Sequence, residues 1–395
     1  MCKWQVSALL RLTSKIGSFR RFGCSAVRGT KTALAVLAML ASVLAWGSAP
    51  VRADDNDGHL SRHEVRVLAQ NMYIGAPLGP LVQATTFQQL KDATTALPLI
   101  MLATKPAERT AAMAAEIATQ RPDFVALSEA WMLTAGAIKI DLLQLIIDAL
   151  KALDQPYALV GFVNDQDLDL TQLPFPFTID FHLTHRDAIL KRTDVDIQIM
   201  AVQPTLFDTP IIPPLTLPPP LDQIKAGYVS VDAIVRGLPL RFVSVHLAPN
   251  AKTIVAHAGE LLTKTASPLP TVFGGDFNTR AENPNDPSYV VYQTLITPPF
   301  PLPPQLALTD AWNPHVIRRL GLGLTCCQKP ALNEPSNLTA RVDLILFRGP
   351  FEVEDINLIG NKETDRTPSG LWPSDHAGLV TTLAGPESRQ FIADK

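Results

Sequence analysis

The chain has few cysteines, and their positions exclude a disulfide framework. Of four cysteines in 395 residues, Cys2 and Cys24 lie within the first 53 positions, which leaves only the adjacent pair Cys326 and Cys327. Adjacent cysteines either form a vicinal disulfide in an oxidising compartment or stay reduced as small apolar side chains. One pair also offers too few ligands for a metal site. The fold must therefore depend on an apolar core, which a content of 47% hydrophobic residues can supply.

Acidic residues are absent from the first 53 positions, which carry eight Lys and Arg residues. An apolar segment at residues 33–46 is followed by the small residues that end at Ala53 and then by an acidic stretch, which is the layout of an export signal. A membrane anchor is the alternative, but about 14 apolar residues fall short of the roughly 20 that cross a bilayer as a helix. We predict a signal peptide at residues 1–53, cleaved near Ala53, and a secreted or periplasmic protein.

The predicted mature chain also lacks a basic stripe. Without the eight basic residues of the signal it holds 26 Lys and Arg against 37 Asp and Glu, a net charge of −11. Sequence-independent binding of nucleic acid depends mainly on phosphate neutralisation by Lys and Arg. This excess of acidic residues argues against a tight DNA-binding protein, although it permits an enzyme that binds DNA through bound cations.

Internal repeats and long polar linkers are absent after residue 58, so we predict one catalytic domain at residues 64–383 between short tails at 54–63 and 384–395. Short apolar runs bounded by polar, Gly or Pro residues predict strands. These runs are residues 64–73, 124–128, 157–162, 187–190 and 271–273.

Period-two alternation on both sides of Arg236 and Gly237, over residues 228–235 and 239–247, predicts an antiparallel hairpin. A purely parallel sheet would not place a tight hairpin in mid-chain, so mixed sheets covered by helices fit better. Helices are predicted at residues 106–120 and 137–153, the second from an apolar face.

Three proline-rich apolar stretches, at residues 173–177, 210–220 and 298–304, can be neither helices nor central strands. One interpretation is that they are rigid connecting loops. The other is that they form an apolar rim that makes transient contact with a membrane surface or another hydrophobic substrate.

The strongest local signal is the pentapeptide Gly-Gly-Asp-Phe-Asn at residues 274–278, directly after an apolar strand. Two glycines at a strand end permit a tight turn, and Asp276 and Asn278 can point the same way into a cleft. A carboxylate can orient or deprotonate water, while an amide donates to a phosphate oxygen without adding negative charge. The alternative is a polar turn that closes a strand. The pattern favours phosphoester hydrolysis.

A second signal is Ser-Asp-His at residues 374–376. Adjacent side chains on a strand project to opposite faces, so His376 needs an orienting carboxylate other than Asp375. Asp343 offers one, because a charge within the apolar run 341–347 is costly unless it is paired or hydrogen-bonded. Alone, the tripeptide is more typical of a solvated loop. It indicates a functional site only in combination with the other motifs.

Three further polar residues lie at predicted strand ends. They are Asn71, Glu129 and His246. A carboxylate that emerges from a core strand is a natural ligand for a hard cation, although a surface glutamate would look the same. A lone strand-end histidine is more often structural. Together, polar residues at the ends of five or six strands are what a shared cleft at one sheet edge requires.

In order and spacing, this set of motifs resembles the endonuclease/exonuclease/phosphatase superfamily. That group includes deoxyribonuclease I, abasic-site endonucleases, bacterial sphingomyelinases and inositol polyphosphate phosphatases. The resemblance runs from about residue 64 to 383. It implies an α/β fold, a four-layer α/β sandwich in which two mixed β-sheets pack face to face with helices outside and the site lies at one edge.

The resemblance also implies a metal site. The ion would be Mg²⁺, with Mn²⁺ or Ca²⁺ as alternatives, and one ion or two would be bound. Glu129 would be the main ligand, with Asn71 nearby and Asp375 close to the metal or to the histidines. Hard oxygen ligands suit Mg²⁺, which shields the phosphate and stabilises charge in the transition state.

For catalysis, the resemblance implies that Asp276 orients the attacking water and that Asn278 contacts the phosphate. His246 and His376 would bind phosphoryl oxygens or assist proton transfer, and Asp343 would hold His376.

One strand departs from the family pattern. Relatives often read Gly-Asn-Ala-Ile-Leu where residues 185–190 read His-Arg-Asp-Ala-Ile-Leu. Asp187 or His185 is therefore a candidate partner for His246, and the alternative is that Asp187 caps the strand.

These motifs predict a hydrolase that acts on phosphoric ester bonds in a lipid, a small molecule or a nucleic acid. Acidity and apolar loops favour a phospholipase C-like or sphingomyelinase-like enzyme over a deoxyribonuclease-like endonuclease. An exported binding protein that kept the fold and lost catalysis is a third alternative, but it would not need the full motif set. We expect a monomer without a stable protein partner.

Overall fold

A computed structural model describes residue 60 and residues 63–248 and 253–386; the predicted signal peptide and most of both predicted tails lie outside these residues. The described part of the chain forms fourteen strands and seven α-helices. The strands are β1 (Glu64–Asn71), β2 (Phe124–Ser128), β3 (Met132–Ala135), β4 (Ile138–Asp141), β5 (Tyr157–Asp169), β6 (His182–Arg192), β7 (Ile197–Leu206), β8 (Gly227–Val235), β9 (Leu238–His246), β10 (Thr271–Asp276), β11 (Thr309–Asp310), β12 (Asp343–Arg348), β13 (Glu352–Ile359) and β14 (Gly378–Ala384). The α-helices are α1 (Gly79–Val82), α2 (Phe87–Ala103), α3 (Pro106–Gln120), α4 (Leu142–Ala152), α5 (Ile254–Lys264), α6 (Tyr289–Ile296) and α7 (Pro314–Leu320).

The strands form two mixed sheets. The first has eight strands in the order β13-β14-β1-β2-β6-β3-β4, with β5 also paired to β6, and the second has six in the order β11-β12-β10-β9-β8-β7. The β1–β2 and β9–β10 pairs are parallel and the other pairs are antiparallel. The predicted hairpin is present as β8 and β9 around Arg236 and Gly237.

The sheets pack face to face through a largely apolar layer. Phe124 of the first sheet stacks on Phe242 of the second, with ring centroids 5.1 Å apart. A Cβ atom at Gly274 would lie only 3.2 Å from the Ala126 Cβ, so the missing side chain lets the sheets approach here. Burial of this layer removes apolar surface from water and holds the two sheets together.

Helices cover the outer faces. Leu97 of α2, Met113 of α3 and Ile146 of α4 share a buried cluster with the first sheet. Leu261 of α5 and Leu295 of α6 pack in a second cluster with strands of the second sheet. The predicted α/β sandwich of two mixed sheets with helices outside is therefore confirmed. None of the described helices is long and apolar enough to span a membrane.

Two local predictions need correction. The helix predicted at residues 137–153 begins at Leu142, because a turn at Gly136, with φ of 57°, pairs β3 with β4 before the helix starts. Asp141 then caps the helix by accepting a hydrogen bond from the Gln144 N–H at 3.0 Å. The strand predicted at residues 157–162 continues to Asp169, since it pairs with β6 along its whole length.

The proline-rich stretches lie outside the α-helices and strands, as predicted. They expose large apolar side chains: Phe175 is 92% exposed and Phe300 is 97% exposed.

Candidate active site

Three neighbouring strands of the second sheet align three of the predicted site residues. In the register, Asp276 of β10 lies opposite His246 of β9 and opposite Asp343 of β12. Gly275 makes this alignment possible: its φ is +149°, and a Cβ atom there would lie 1.9 Å from the Val245 carbonyl oxygen. The predicted glycine turn is therefore wrong, because both glycines lie inside β10 and serve close packing.

Asp276 and Asn278 lie together at the end of β10. Asp276 Oδ1 accepts a hydrogen bond from the Asn278 N–H at 2.8 Å, and this local loop holds Asn278 at a positive φ of 47°. The Asn278 side-chain amide donates to the Leu247 carbonyl oxygen at 2.7 Å and to His246 Nε2 at 2.8 Å. A carboxylate, an amide and an imidazole therefore meet at the end of β10.

His376 pairs with Asp343, the carboxylate that was predicted from the sequence as its partner. Its Nδ1 lies 2.7 Å from Asp343 Oδ2, and Asp343 is completely buried. Burial lowers the pKa of His376, but the charges of Asp343 and Asp375 more than offset this and raise the pKa well above its ordinary value. Burial also raises the pKa of Asp343, against the opposing effect of His376. The pair therefore favours a protonated imidazole.

Glu129 lies at the end of β2, held by three donors. It accepts hydrogen bonds from Asn71 Nδ2 at 3.2 Å, from the Ile74 N–H at 3.1 Å and from Trp131 Nε1 at 3.2 Å. Burial opposes its ionisation, yet the charges of nearby histidines, His246 first, keep its pKa below the usual range. Glu129 is therefore an ionised, oriented carboxylate.

Asn71 connects the two halves of the site. The same Nδ2 that contacts Glu129 donates to Asp276 Oδ2 at 3.1 Å, while its Oδ1 accepts the Tyr73 N–H at 2.9 Å. In this arrangement the amide orients two carboxylates that come from different sheets.

Asp375 carries the clearest sign of an available cation ligand. Its Oδ1 is buried without a hydrogen-bond partner. Burial raises the pKa of Asp375 to about 7, and the charge of Glu129 adds to the rise. Two carboxylates that repel each other in a desolvated site fit a divalent cation, whose charge would stabilise both ionised forms.

The candidate partner of His246 is His185. Its Nε2 lies 3.1 Å from His246 Nδ1, and its Nδ1 lies 2.5 Å from Asp165 Oδ1. Asp187 is buried within β6, so it does not cap the strand, and its Oδ1 lies 3.9 Å from His185 Nε2. Asp165 was not predicted as a site residue, because the strand that carries it was expected to end at residue 162.

Arg109 is a second residue that sequence reasoning missed. It is fully buried in α3 and donates to the carbonyl oxygens of Met72, Tyr73, Thr104 and Pro373 at 3.0–3.1 Å. It thereby connects the segment after β1 to the segment that precedes Ser374. In the sequence, helical spacing places Arg109 on the same face as Met113 and Ile117, and this position indicates that Arg109 is buried with them.

The two adjacent cysteines also lie beside the site. Cys326 and Cys327 are joined as a vicinal disulfide, and Cys327 Sγ is 3.9 Å from His376 Nε2.

Comparisons with known proteins agree with this architecture. A sequence profile of the Endonuclease/Exonuclease/phosphatase family matches residues 102–376. No curated protein sequence matches the chain. Among solved structures, family proteins from Leptotrichia buccalis and Bacteroides thetaiotaomicron align with TM-scores of 0.50 at 16% and 15% identity, covering 81% and 82% of this chain and 99% and 95% of theirs. One from Beutenbergia cavernae has a TM-score of 0.50 at 17% identity and covers 82% of this chain and 72% of its own. At these identities, the likeness concerns the fold alone.

Proposed function

The chain belongs to the endonuclease/exonuclease/phosphatase family, and we propose that it is an exported, Mg²⁺-dependent phosphodiesterase with a lipid-like substrate. The observation that carries the proposal is the cluster at the end of β10. There the Asp276 carboxylate lies 3.5 Å from His246 Nε2 and 3.9 Å from His376 Nδ1. A phosphoryl group bound between the two imidazoles would meet donors on both sides and a carboxylate suited to orient water.

The hydrogen bond to Asp343 occupies His376 Nδ1, so the proton proposed for the substrate is the one on Nε2, which lies 3.8 Å from Asp375 Oδ1. Because the pKa of His376 is raised, the ring carries its proton at neutral pH. We assign it to donation of that proton to the leaving oxygen. Asp276 orients the water that attacks phosphorus and accepts the proton that this water loses, while Asn278 and His246 bind phosphoryl oxygens, an arrangement in which donors stabilise the charge that develops in the transition state.

Glu129 and Asp375 would hold the Mg²⁺ ion, and Asn71 would keep Glu129 oriented toward it. The carboxylate donor set suits a hard cation, and Asp375 Oδ1 has no hydrogen-bond partner, its ion-pair contact being His376 Nε2 at 3.8 Å. The ion would supply positive charge that offsets the charge of the phosphoryl oxygens.

Trp131 supports an apolar substrate group. Its indole N–H donates to Glu129, while the ring lines a small apolar cavity together with Leu168, Leu183 and Leu217. This cavity lies one side chain away from the carboxylate proposed to bind the metal. The exposed Phe175 and Phe300 and the acidic charge balance support contact with a lipid surface over contact with a polyanion.

The test is a comparison of three substrates: sphingomyelin vesicles, plasmid DNA and bis-(p-nitrophenyl) phosphate, each with Mg²⁺ and with EDTA. We expect metal-dependent hydrolysis of the vesicles and of the small diester. His376→Ala should reduce the rate by about 10²–10⁴-fold, the usual range for loss of an acid–base group. His315→Ala, at an exposed histidine of α7, is the matched control.

Cleavage of DNA alone would contradict the lipid assignment and favour an endonuclease. Absence of metal-dependent turnover on all three substrates would instead favour an exported binding protein.

A further inference from the structure

Behind His246, on the side away from Asp276, lies a second buried group of potential ligands. It consists of His185, Asp187 and His246, and one ligand atom from each lies within 4.8 Å of the other two. The group is distinct from the Glu129 and Asp375 carboxylates, because it uses His246 Nδ1 while Nε2 faces Asp276 and Asn278.

Asp187 is the unusual member of this group. It is completely buried, and neither of its carboxylate oxygens has a hydrogen-bond partner at ordinary distance, although the His246 backbone N–H lies nearby. No Lys or Arg of the described residues pairs with it. A buried carboxylate without a partner is costly, and such groups are usually paired or coordinate a metal.

Asp165 gives His185 the orientation of a metal ligand. Its carboxylate lies 2.5 Å from His185 Nδ1, and with the proton on Nδ1 the lone pair of Nε2 is directed at Asp187 and His246. Metal-bound histidines commonly donate their other N–H to a carboxylate in this way, because it sets the tautomer and the ring orientation.

The spacing of the two histidine nitrogens suits a transition-metal ion. His185 Nε2 and His246 Nδ1 are 3.1 Å apart. Two nitrogens at about 2.0–2.1 Å from one Zn²⁺ ion are separated by roughly 3.0–3.4 Å when they are adjacent ligands. Asp187 Oδ1 lies 3.9 Å from His185 Nε2, so this carboxylate would have to move closer by roughly half an ångström to reach the spacing of adjacent ligands.

We propose that His185, Asp187 and His246 bind a divalent transition-metal ion, Zn²⁺ in the first instance, behind the catalytic cleft. Two imidazoles and one carboxylate suit Zn²⁺ or Co²⁺, whereas Mg²⁺ prefers an all-oxygen set. The proposal depends only on these residues and not on the substrate.

The ion would decide which nitrogen of His246 carries the proton. Without it, His246 Nδ1–H can donate to His185 Nε2, and Nε2 accepts from the Asn278 amide at 2.8 Å. With Nδ1 bound to the ion, the proton must reside on Nε2, and the Asn278 amide could then no longer donate to that nitrogen. His246 would then be a donor toward the cleft, which is the role that a phosphoryl oxygen requires.

The experiment measures metal bound by the purified exported protein after dialysis against Zn²⁺ in the presence of excess Mg²⁺. We expect one Zn²⁺ per chain by elemental analysis. Asp187→Asn and His185→Gln should lose this ion, and Asp165→Asn should weaken its binding by about 10–100-fold, as for other residues that support a metal-bound histidine.

His182→Gln is the matched control, because His182 lies on the same strand and also pairs with an aspartate, Asp167, but at an exposed position. Zinc content should be unchanged in this variant. It should also be unchanged in Glu129→Gln, which separates this site from the proposed Mg²⁺ site.

A spectrum of the unaltered protein with Co²⁺ provides a second measurement that needs no variant. Visible bands of protein-bound Co²⁺ that disappear when Zn²⁺ is added support the site. A spectrum of hydrated Co²⁺ alone, or the same zinc content in Asp187→Asn as in the unaltered protein, would overturn the proposal and leave the group as a hydrogen-bonded chain.

Discussion

His376 Nδ1 lies 2.7 Å from Asp343 Oδ2, and both side chains are buried at the start of β12. The two residues are 33 positions apart in the chain. They meet because β12 brings Asp343 opposite Asp276, and the segment before β14 returns His376 to the same place. This pair sets the pH dependence that we expect.

Asp343→Asn should move the alkaline limit of activity to lower pH. Burial lowers the pKa of His376, but the Asp343 charge raises it well above 6.5, so the protonated ring persists until the pH passes the raised pKa. Without that charge the proton is lost at lower pH. The pH profile of kcat/KM on bis-(p-nitrophenyl) phosphate measures the shift. The exposed Asp355→Asn should leave the profile unchanged, and an unshifted profile in Asp343→Asn would argue against the assigned role.

Removal of the metal should abolish hydrolysis, and added Mg²⁺ should restore it. Glu129→Gln should raise the Mg²⁺ concentration required for half-maximal rate by at least about 10-fold, since it removes the charge of a hard oxygen ligand. Titration of the EDTA-treated enzyme with Mg²⁺ gives this value. Glu352→Gln, at an exposed position of β13, serves as the control. An equal Mg²⁺ requirement in both variants would place the ion elsewhere.

Gly275→Ala should destabilise the fold by about 2–4 kcal/mol, because it combines steric overlap with backbone strain. The added Cβ atom would lie 1.9 Å from the Val245 carbonyl oxygen at a φ of +149°. Gly237→Ala is the matched control: its φ is +89°, but nothing lies within 4 Å of the added atom. Gly237→Ala should lower the free energy of unfolding by only about 1–2 kcal/mol, which is the backbone strain of a positive φ. Urea denaturation measures both free energies of unfolding, and similar losses would show that the contact with β9 is unimportant.

Replacement of the exposed phenylalanines should separate surface binding from catalysis. Phe175→Ser and Phe300→Ser should each weaken binding to sphingomyelin vesicles by about 10-fold, which corresponds to the transfer of part of one aromatic side chain out of water. Hydrolysis of the soluble diester should not change. Vesicle sedimentation and the two rate assays measure these effects, with Met200→Ser as the control at another exposed apolar residue. Loss of both activities together would indicate misfolding rather than surface contact.

Much of the framework was predictable from local patterns. Alternation and apolar runs located β2 at Phe124–Ser128 and α3 at Pro106–Gln120, because these elements bury a face whose period is visible in the sequence. The boundary between β4 and α4 was not predictable, since Ile138 and Ile140 fit the apolar face of a helix as well as a strand. Pairing with β3 decides in favour of the strand.

Residues that act through backbone atoms or through a distant strand were the hardest to predict. The hydrogen-bond acceptors of Arg109 are all backbone carbonyl oxygens. Because every residue has a carbonyl, no pattern of residue types predicts these partners. Asp165 acquires its partner because β5 continues beside β6 as far as Asp169, beyond its apolar run. Both residues looked like ordinary polar positions until their neighbours were known.

The sequence by itself determined which residue types lie at the strand ends, and so the chemistry available to the site: Glu129, His246 and Asp276 follow apolar runs, and His376 precedes one. Only the tertiary structure decided which of them meet. Asn71 donates to Asp276 across 205 positions of sequence and between two sheets, and His246 turns one nitrogen to His185 and the other to Asn278. Side-chain alternation sets the face on which a residue lies, but strand register and sheet packing set its neighbours, and these depend on contacts far apart in the chain.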